Sequence, residues 1–431
     1  MLREIHITRL FNLFDYTIDL KTEGITILTG PNGYGKTTIL KIIHAIANKN
    51  IFYFFNLSFN HIRLVFEDSS LNVNIEIEGK EENKILTIRQ GKTRLLHFSR
   101  NDLLKFIRTE LRQSRMAIDM FDEDRWIDRR NDRIYSSSTL LQDILPKYAG
   151  QLDIFEKEVK LPMVPEIYLI REQRLLRRVE RVKPRVSYHY EEESINYFGD
   201  TIEEYAKELK DHITYTLASY SQTTQQLDSS FPKRLFEEQN KISQEAFNIR
   251  FEKIKNVQKA LNKYGLSVIE EDNHPTYKAE NAKALAVYLE DTEKKLEIFQ
   301  DLLSRLNLFT NILNERRFAF KKVHVSKEKG FMFLTENNDV LPLTELSSGE
   351  QQEVVLLFEL LFKVKRGTLV LIDEPEISLH VAWQKEFLDD LIKITELQEI
   401  NTIIATHSPQ IINERWDLTV DLEELTHAEV S

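Results

Sequence analysis

The chain has 431 residues, enough for about two or three domains with a well-buried core, and its 42% hydrophobic and 29% charged residues exclude a disordered or fibrous protein. It has no cysteine, which removes zinc-finger, iron–sulfur, thiol and disulfide chemistry together, and a net charge of −11 argues against a small basic protein that coats nucleic acid. Charges interrupt the first twenty residues every few positions, and no segment approaches about 18 apolar residues in a row. We therefore expect a soluble, cytoplasmic protein.

In chain order, the first ninety residues read as strands. Ile5, Ile7 and Leu10 alternate imperfectly, Tyr16, Ile18 and Leu20 alternate well, and residues 25–29 form a short apolar run ending at glycine. A helix is expected over 37–47, and HIRLVFED, LNVNIEIEG and KILTIRQG then read as three antiparallel strands. Helical spacing follows over 99–114 and 139–155, and MVPEIYLI returns to strand. The glycine-poor region 201–317, rich in Glu, Lys, Leu and Gln, reads as several helices broken near 229–232 and 272–275. Its heptads are too irregular for a coiled coil, so it is expected to form a short helical arm. Residues 318–325 and 331–334 read as a strand pair around a turn at 327–330. Beyond them, TLVLIDEP is a buried strand, VAWQKEFLDDLIKIT a helix and NTIIATHSP another buried strand, the βαβ grammar of a parallel sheet. The expected fold class is α/β: a parallel core sheet and an antiparallel N-terminal sheet with a helical insertion. The expected segments are 1–185, 186–317 and 318–431.

Three of the twelve glycines, Gly30, Gly33 and Gly35, fall within six positions. Gly30-Pro31-Asn32-Gly33-Tyr34-Gly35-Lys36-Thr37 matches G-x-x-x-x-G-K-[ST] at every fixed position, between an expected strand and an expected helix. Such glycines let backbone N–H groups turn inward around phosphate oxygens, and the helix N-terminus faces the same anion. The expected ATP-binding set here is Asn32, Gly33, Gly35, Lys36, Thr37 and Thr38. Lys36 would reach the β- and γ-phosphates, and the Thr37 hydroxyl would hold Mg²⁺. Gly91-Lys92-Thr93 also spells GKT, but Leu86 stands where the motif needs glycine and no buried strand precedes it, so it reads as a hairpin end.

Leu346-Ser347-Ser348-Gly349-Glu350 opens a helix, with Ser347 or Ser348 placed to cap it, and offers a second anion site far from the first loop. Nineteen residues after Ser348, Gly367 introduces an apolar strand ending in Asp373 and Glu374, one acid suited to organise Mg²⁺ and the other to orient water. A further apolar strand ends in Thr406-His407-Ser408.

In these motifs the sequence resembles the ABC-type P-loop ATPases, whose signature is usually written L-S-G-G-Q, and above all the soluble branch of SMC, RecF-like and OLD-family ATPases. Asp373-Glu374-Pro375-Glu376 followed by Ser378-Leu379-His380, with Ala405-Thr406-His407-Ser408-Pro409, is close to the OLD-like pattern. The resemblance covers the first fifty and the last hundred or so residues. It implies ATP and Mg²⁺ as ligands, Asp373 supporting Mg²⁺, Glu374 polarising the attacking water and His407 sensing the γ-phosphate. It implies that Ser347 and Gly349 contact nucleotide on another subunit, and that residues 378–380 cross the interface of a head-to-head dimer. Gln173, after the strand at 166–170, is the position for a third Mg²⁺ ligand that couples nucleotide to the arm. Two departures are Ser348 for the first signature glycine and Glu350 for the glutamine, which would add like charge near phosphate unless it points away. Val381 also stands where OLD-like chains often have proline.

Residues 171–185 contain seven basic residues in fifteen, a run suited to a phosphate backbone, an acidic protein or a solvated helix face. OLD-like ATPases are usually fused to a Toprim nuclease, and with 24 residues after His407 no such module is expected in this chain. The resemblance therefore implies a stand-alone ATPase subunit like those of anti-phage systems such as PARIS, acting as a homo-oligomeric switch on a separate, Toprim-like effector. The alternative is a DNA-repair or chromosome-maintenance ATPase of RecF or SMC type with DNA as partner, against which the short insert and negative charge count. An ATP-locked scaffold is a third reading, opposed by the intact Glu374.

Overall fold

The computed structural model describes residues 1–48, 50, 52–79, 84–99, 101, 102, 105, 108, 118–120, 125–129, 133–136, 163–170, 201–266, 275–315, 318, 320–377 and 379–427. The chain divides into two compact units, one of Met1–Glu172, Lys365–Ile377 and Gln384–Ser431, the other of Gln173–Val364 and Ser378–Trp383. The expected segments cut the chain elsewhere: by compactness, residues 318–364 group with the helices before them rather than with the C-terminal strands after them.

In the first unit, β1 (Leu2–Leu10), β2 (Phe14–Asp19), β3 (Ile25–Thr29), α1 (Lys36–Ala47), α2 (Phe52–Asn56), β4 (His61–Phe66), β5 (Val73–Glu78), β6 (Ile85–Gln90) and β7 (Thr93–Ser99) follow one another. An antiparallel sheet runs in the order β2-β1-β4-β5-β6-β7. Its pairing shifts between Ile7 and Leu10, where Arg9 takes a φ of 57°. This bulge is the physical content of the imperfect alternation in the sequence. One strand more than expected is present, and Gly91, with φ 54°, turns the β6–β7 hairpin, so the second GKT is a hairpin end. Strands β8 (Ile118–Met120), β9 (Arg125–Asp128) and β10 (Arg133–Ser136) form a small antiparallel sheet, and β11 (Ile167–Ile170) follows. The expected helix at 139–155 and most of that at 99–114 lie outside the described residues.

The second unit holds α3 (Thr201–Glu237), α4 (Gln244–Lys263), α5 (Ala282–Glu297), α6 (Gln300–Glu315), the antiparallel strands β12 (Lys321–Ser326), β13 (Gly330–Thr335) and β14 (Val340–Leu341), and α7 (Ser348–Phe358). The break expected near 229–232 does not occur, because α3 runs through Pro232. In the turn before the proline, Ser230 and Arg234 donate to the Gln226 and Leu227 carbonyls, and Arg234 also pairs with buried Asp291 of α5. These contacts compensate a proline that removes one helical hydrogen bond. The first break falls instead at 238–243, whereas the one expected near 272–275 lies between the end of α4 and the start of α5.

The chain returns to the first unit with β15 (Leu369–Asp373), α8 (Val381–Gln398, in that unit from Gln384), β16 (Asn401–Ala405), α9 (Pro409–Ile412), β17 (Thr419–Asp421) and α10 (Leu422–His427). A five-stranded sheet, parallel throughout, runs β11-β15-β16-β3-β17. Every residue of β3 and β15 is buried, as the continuous apolar runs require of parallel strands covered on both faces. The fold is mixed α/β with a parallel sheet, an antiparallel sheet and helices. Among the described residues no helix is long and apolar enough to cross a membrane.

One close approach in the second unit is unforgiving. Gly330 has φ 73°, and a Cβ there would collide with the Ala206 carbonyl oxygen of α3 and lie 3.1 Å from the Lys210 nitrogen. Gly330→Ala combines overpacking with a left-handed non-glycine residue, so a loss of about 2–4 kcal/mol is expected, measured as a lowered denaturant midpoint.

Candidate functional site

The C-terminal ends of three neighbouring parallel strands meet at one place. From the end of β3 the chain turns through Gly30, Gly33 and Gly35, with φ of 130°, 91° and 89°, into α1. Gly35 occupies the left-handed N-cap, where a Cβ would press 3.0 Å from Leu10 and 3.4 Å from Phe11, so both conformation and space select glycine. Asn32 and Gly33 are exposed at the tip, and Thr38 is half-buried in the first turn of α1. Tyr34, a variable position of the motif, braces the loop: its ring stacks on Phe14 at 5.2 Å, its carbonyl accepts from Tyr16 at 2.8 Å, and its hydroxyl donates to Glu423 at 3.3 Å.

Lys36 is only 5% exposed, and its ammonium donates to the Gly30 and Pro31 carbonyls at 2.7 and 3.2 Å. Burial pushes it below the usual lysine value, while Glu374, Glu376, Asp373 and Asp421 pull the other way. Its Nζ also lies 3.3 Å from Nδ1 of His407, at the end of β16. A lysine ammonium can only donate, so the tautomer that suits this contact accepts at Nδ1; the other ring nitrogen, Nε2, lies 3.8 Å from Glu374 Oε1. Thr37 Oγ1 donates to Asp373 Oδ1 at 2.8 Å, tying the start of α1 to the end of β15.

The hydroxyl of Thr37 and the carboxylate of Asp373 are hard oxygen donors that fit Mg²⁺. Among the described residues no group of three or more His, Asp or Glu side chains forms a metal cage, and an Mg²⁺ carried on nucleotide phosphates needs none. Glu374 sits at φ 43°, a left-handed conformation that costs about 1–3 kcal/mol in a non-glycine residue. It is held by its own N–H on the Ala405 carbonyl at 2.9 Å and by Ile377 N–H on its carbonyl at 3.2 Å.

Ser347 and Gly349 belong to the other compact unit. Ser347 is the cap of α7: it accepts from Glu350 N, and the Glu350 carboxylate accepts from both Ser347 N and Oγ at 2.9 Å, completing a capping box. The same carboxylate pairs with Lys321 at 2.9 Å, so the charge expected to oppose phosphate is turned back and neutralised. Burial works to raise the Glu350 carboxyl, but hydrogen bonds from Lys321 and Ser347 outweigh it and hold it below the ordinary range. Leu379 is buried and His380 exposed, while Gln173, Ser378 and the basic run 171–185 lie outside the described residues.

Sequence reasoning did not assign Glu376, whose carboxylate lies against the His407 segment, or Asp421, which accepts from Thr29 at 3.2 Å beside the start of the loop. Their partners are 31 and 392 residues away in the chain, so no local pattern marks them.

A phosphate loop between a parallel strand and a helix, facing two carboxylates at a nearby strand end, defines a P-loop nucleotide site. Residues 1–412 match the family AAA_15, AAA ATPase domain, and the chain belongs to that family of ATPases. It is similar to protein ea59 of Escherichia phage lambda, 28% identical over 133 residues that make up 28% of this chain and 25% of that protein. It is also similar to the thiamine import ATP-binding protein ThiQ of Chelativorans sp. (strain BNC1), 39% identical over 66 residues, 15% of this chain and 26% of that protein. The chain thus spans about a quarter of the length of these curated relatives. Among solved structures, an SMC head bound to the C-winged helix domain of ScpA aligns with 96% of this chain and 91% of its own, at 12% identity and TM-score 0.34. The recombination mediator protein RecF aligns with 98% and 97%, at 12% identity and TM-score 0.30. Likenesses at that level add nothing to the family assignment.

Lys36→Ala leaves the backbone cradle but removes its buried cation. ATP affinity is expected to fall about 10- to 150-fold, the equivalent of a charged hydrogen bond of about 1.5–3 kcal/mol, read by calorimetric titration. Undiminished affinity would displace the phosphate-loop assignment.

Proposed function

We propose that the chain is an ABC-type, Mg²⁺-dependent ATP switch that closes head to head on nucleotide and acts on a separate partner protein. The observation that carries this reading is the convergence of Lys36, Thr37, Asp373, Glu374 and His407 at the ends of adjacent parallel strands. In it, Lys36 binds the β- and γ-phosphates, the N–H groups of residues 33–38 cradle them, and Thr37 and Asp373, with Gln173, hold Mg²⁺. Bound there, Mg²⁺ supplies charge neutralisation of the phosphates. Glu374 orients the attacking water and accepts its proton, and His407 meets the γ-phosphate. Ser347 and Gly349 complete the site from a second subunit, at the N-terminus of α7.

The OLD-like order of the motifs supports a finer reading, in which the partner is a Toprim-like nuclease effector and the setting is anti-phage defence. Its test is co-purification with the product of the neighbouring gene, with and without ATP, followed by nuclease assay. A nucleotide-sensitive complex with a nuclease is the expected result. Metal-dependent DNA cleavage by this chain alone would overturn it, and ATP-dependent DNA binding without a protein partner would favour the RecF- or SMC-like alternative.

Two variants test the ATP cycle. Glu374→Gln keeps the side-chain shape and removes the carboxylate, so ATP is expected to bind normally while turnover falls about 10²- to 10⁴-fold, measured as phosphate release. Gly349→Arg probes closure, because a Cβ at Gly349 meets nothing within 4 Å and the side chain starts into open space. Turnover is expected to fall with ATP affinity kept, and mixing this variant with Lys36→Ala protein should restore part of the activity through the one composite site with both halves intact. No recovery after verified subunit exchange would mean that each subunit works alone.

A further inference from the structure

A single turn connects the two residues that flank the reacting end of the site. After Glu374, residues Pro375–Ile377 make one tight helical turn, closed by the Ile377 N–H on the Glu374 carbonyl at 3.2 Å. The turn brings Glu376 under the end of β16. There Glu376 Oε1 accepts from the backbone N–H of His407 at 2.7 Å and from the Thr406 hydroxyl at 2.8 Å. Thr406 is fully buried, and its oxygen in turn accepts from Ser408 N at 3.0 Å. A second strut runs through Gln384 of α8, whose amide donates to the Glu376 carbonyl at 3.1 Å and accepts from Ser408 Oγ at 3.0 Å.

The His407 ring is held far less firmly. Among the described residues its polar contacts are Lys36 at 3.3 Å and Glu374 at 3.8 Å, and about a third of it is exposed. Where the ring sits therefore follows from where the backbone of residues 406–408 is held, and short, charge-assisted bonds to Glu376 hold it. We propose that Glu376 is a positioning residue for ATP hydrolysis: by gripping the main chain of His407 from the turn that carries Glu374, it fixes the spacing between the water-orienting carboxylate and the γ-phosphate sensor. This rests on the hydrolytic roles proposed above for Glu374 and His407. Its side-chain hydrogen bonds go to Thr406 and His407, and its charge reaches Lys36 of the loop only at a distance, so its contribution is expected mainly on turnover rather than on binding.

The test uses the full chain with Glu376→Ala, Glu376→Gln, His407→Ala and the double variant Glu376→Ala/His407→Ala, measuring kcat and KM by phosphate release with Mg²⁺-ATP and Kd for a non-hydrolysable ATP analogue. Glu376→Ala is expected to lower kcat about ten- to hundredfold, the scale on which an ångström of misplacement acts, with Kd within about twofold of wild type. Glutamine keeps an oxygen acceptor for both hydrogen bonds, so Glu376→Gln should return kcat to near the wild-type value. In the His407→Ala background the second substitution should change nothing further, because both act through the same group. Unchanged kcat in Glu376→Ala, a glutamine variant as impaired as the alanine one, or losses that multiply in the double variant would each overturn the proposal. If Glu376→Ala does not fold, Thr406→Val, nearly isosteric, removes the bridging hydroxyl and is expected to lower kcat alone; wild-type kcat there overturns it equally. Wild-type protein that binds the analogue and fails to turn over ATP would instead overturn the hydrolysis reading and this inference with it, whereas turnover that ignores Glu376 overturns only the latter.

Discussion

The parallel register of β16 between β3 and β15 is the constraint from which the site follows. Leu28, Ala405 and Asp373 stand in one row across the three strands, so the phosphate loop, the His407 segment and Glu374 all leave the sheet at the same level and on the same edge. Chain segments nearly 350 residues apart are thereby delivered to one place by backbone pairing alone. Side chains then fine-tune the placement: Thr37 on Asp373, Lys36 against His407, Glu376 on the His407 N–H. The order of cause matters, because a slip by one position would move every side chain of a strand to the opposite face of the sheet and take its C-terminal end out of the shared row.

Charge is distributed unevenly around the loop. Four carboxylates, of Asp373, Glu374, Glu376 and Asp421, act on the buried ammonium of Lys36. A polyphosphate entering among them meets like charge, offset by Lys36, by the backbone N–H groups that such a loop offers to phosphate and by the N-terminus of α1. That balance is poor for bare ATP and better for its magnesium complex, which supports the Mg²⁺-dependence proposed above. It also gives a reason for the buried position of Lys36: a partly desolvated cation acts more strongly on phosphate than one in bulk water.

What could be read in the sequence was local. The loop is legible because glycine at three left-handed positions, a lysine and a threonine are all needed within eight residues, and the β1 bulge left its trace as broken alternation at Thr8 and Arg9. The features that escaped depend on distant partners. Pro232 reads as a helix break, but α3 continues because Arg234 is anchored to Asp291 on another helix. Gly330 looks like an ordinary turn glycine until α3 is laid across it. β17 has three residues, too few for periodicity, yet it borders β3 and supplies Asp421. Glu376 was visible as part of an acidic motif, whereas its hold on His407 requires the order of the strands.

The signature turn illustrates how a departure from a family pattern is absorbed. Glutamate in place of glutamine would be a liability beside phosphate if its charge were free. Here the charge is spent inside its own unit, on the cap of α7 and on Lys321, across 29 residues of sequence. The turn is therefore complete before any second subunit approaches. Preformation has a consequence on the proposed reading: the Ser347 hydroxyl already donates to Glu350, so contacting a phosphate means exchanging one anionic acceptor for another. Such an exchange is close to neutral in hydrogen-bond count, and Lys321 remains to hold Glu350 when the serine turns away. On that reading the lysine makes the glutamate compatible with closure, and the two positions form a compensated pair rather than one defect and one bystander.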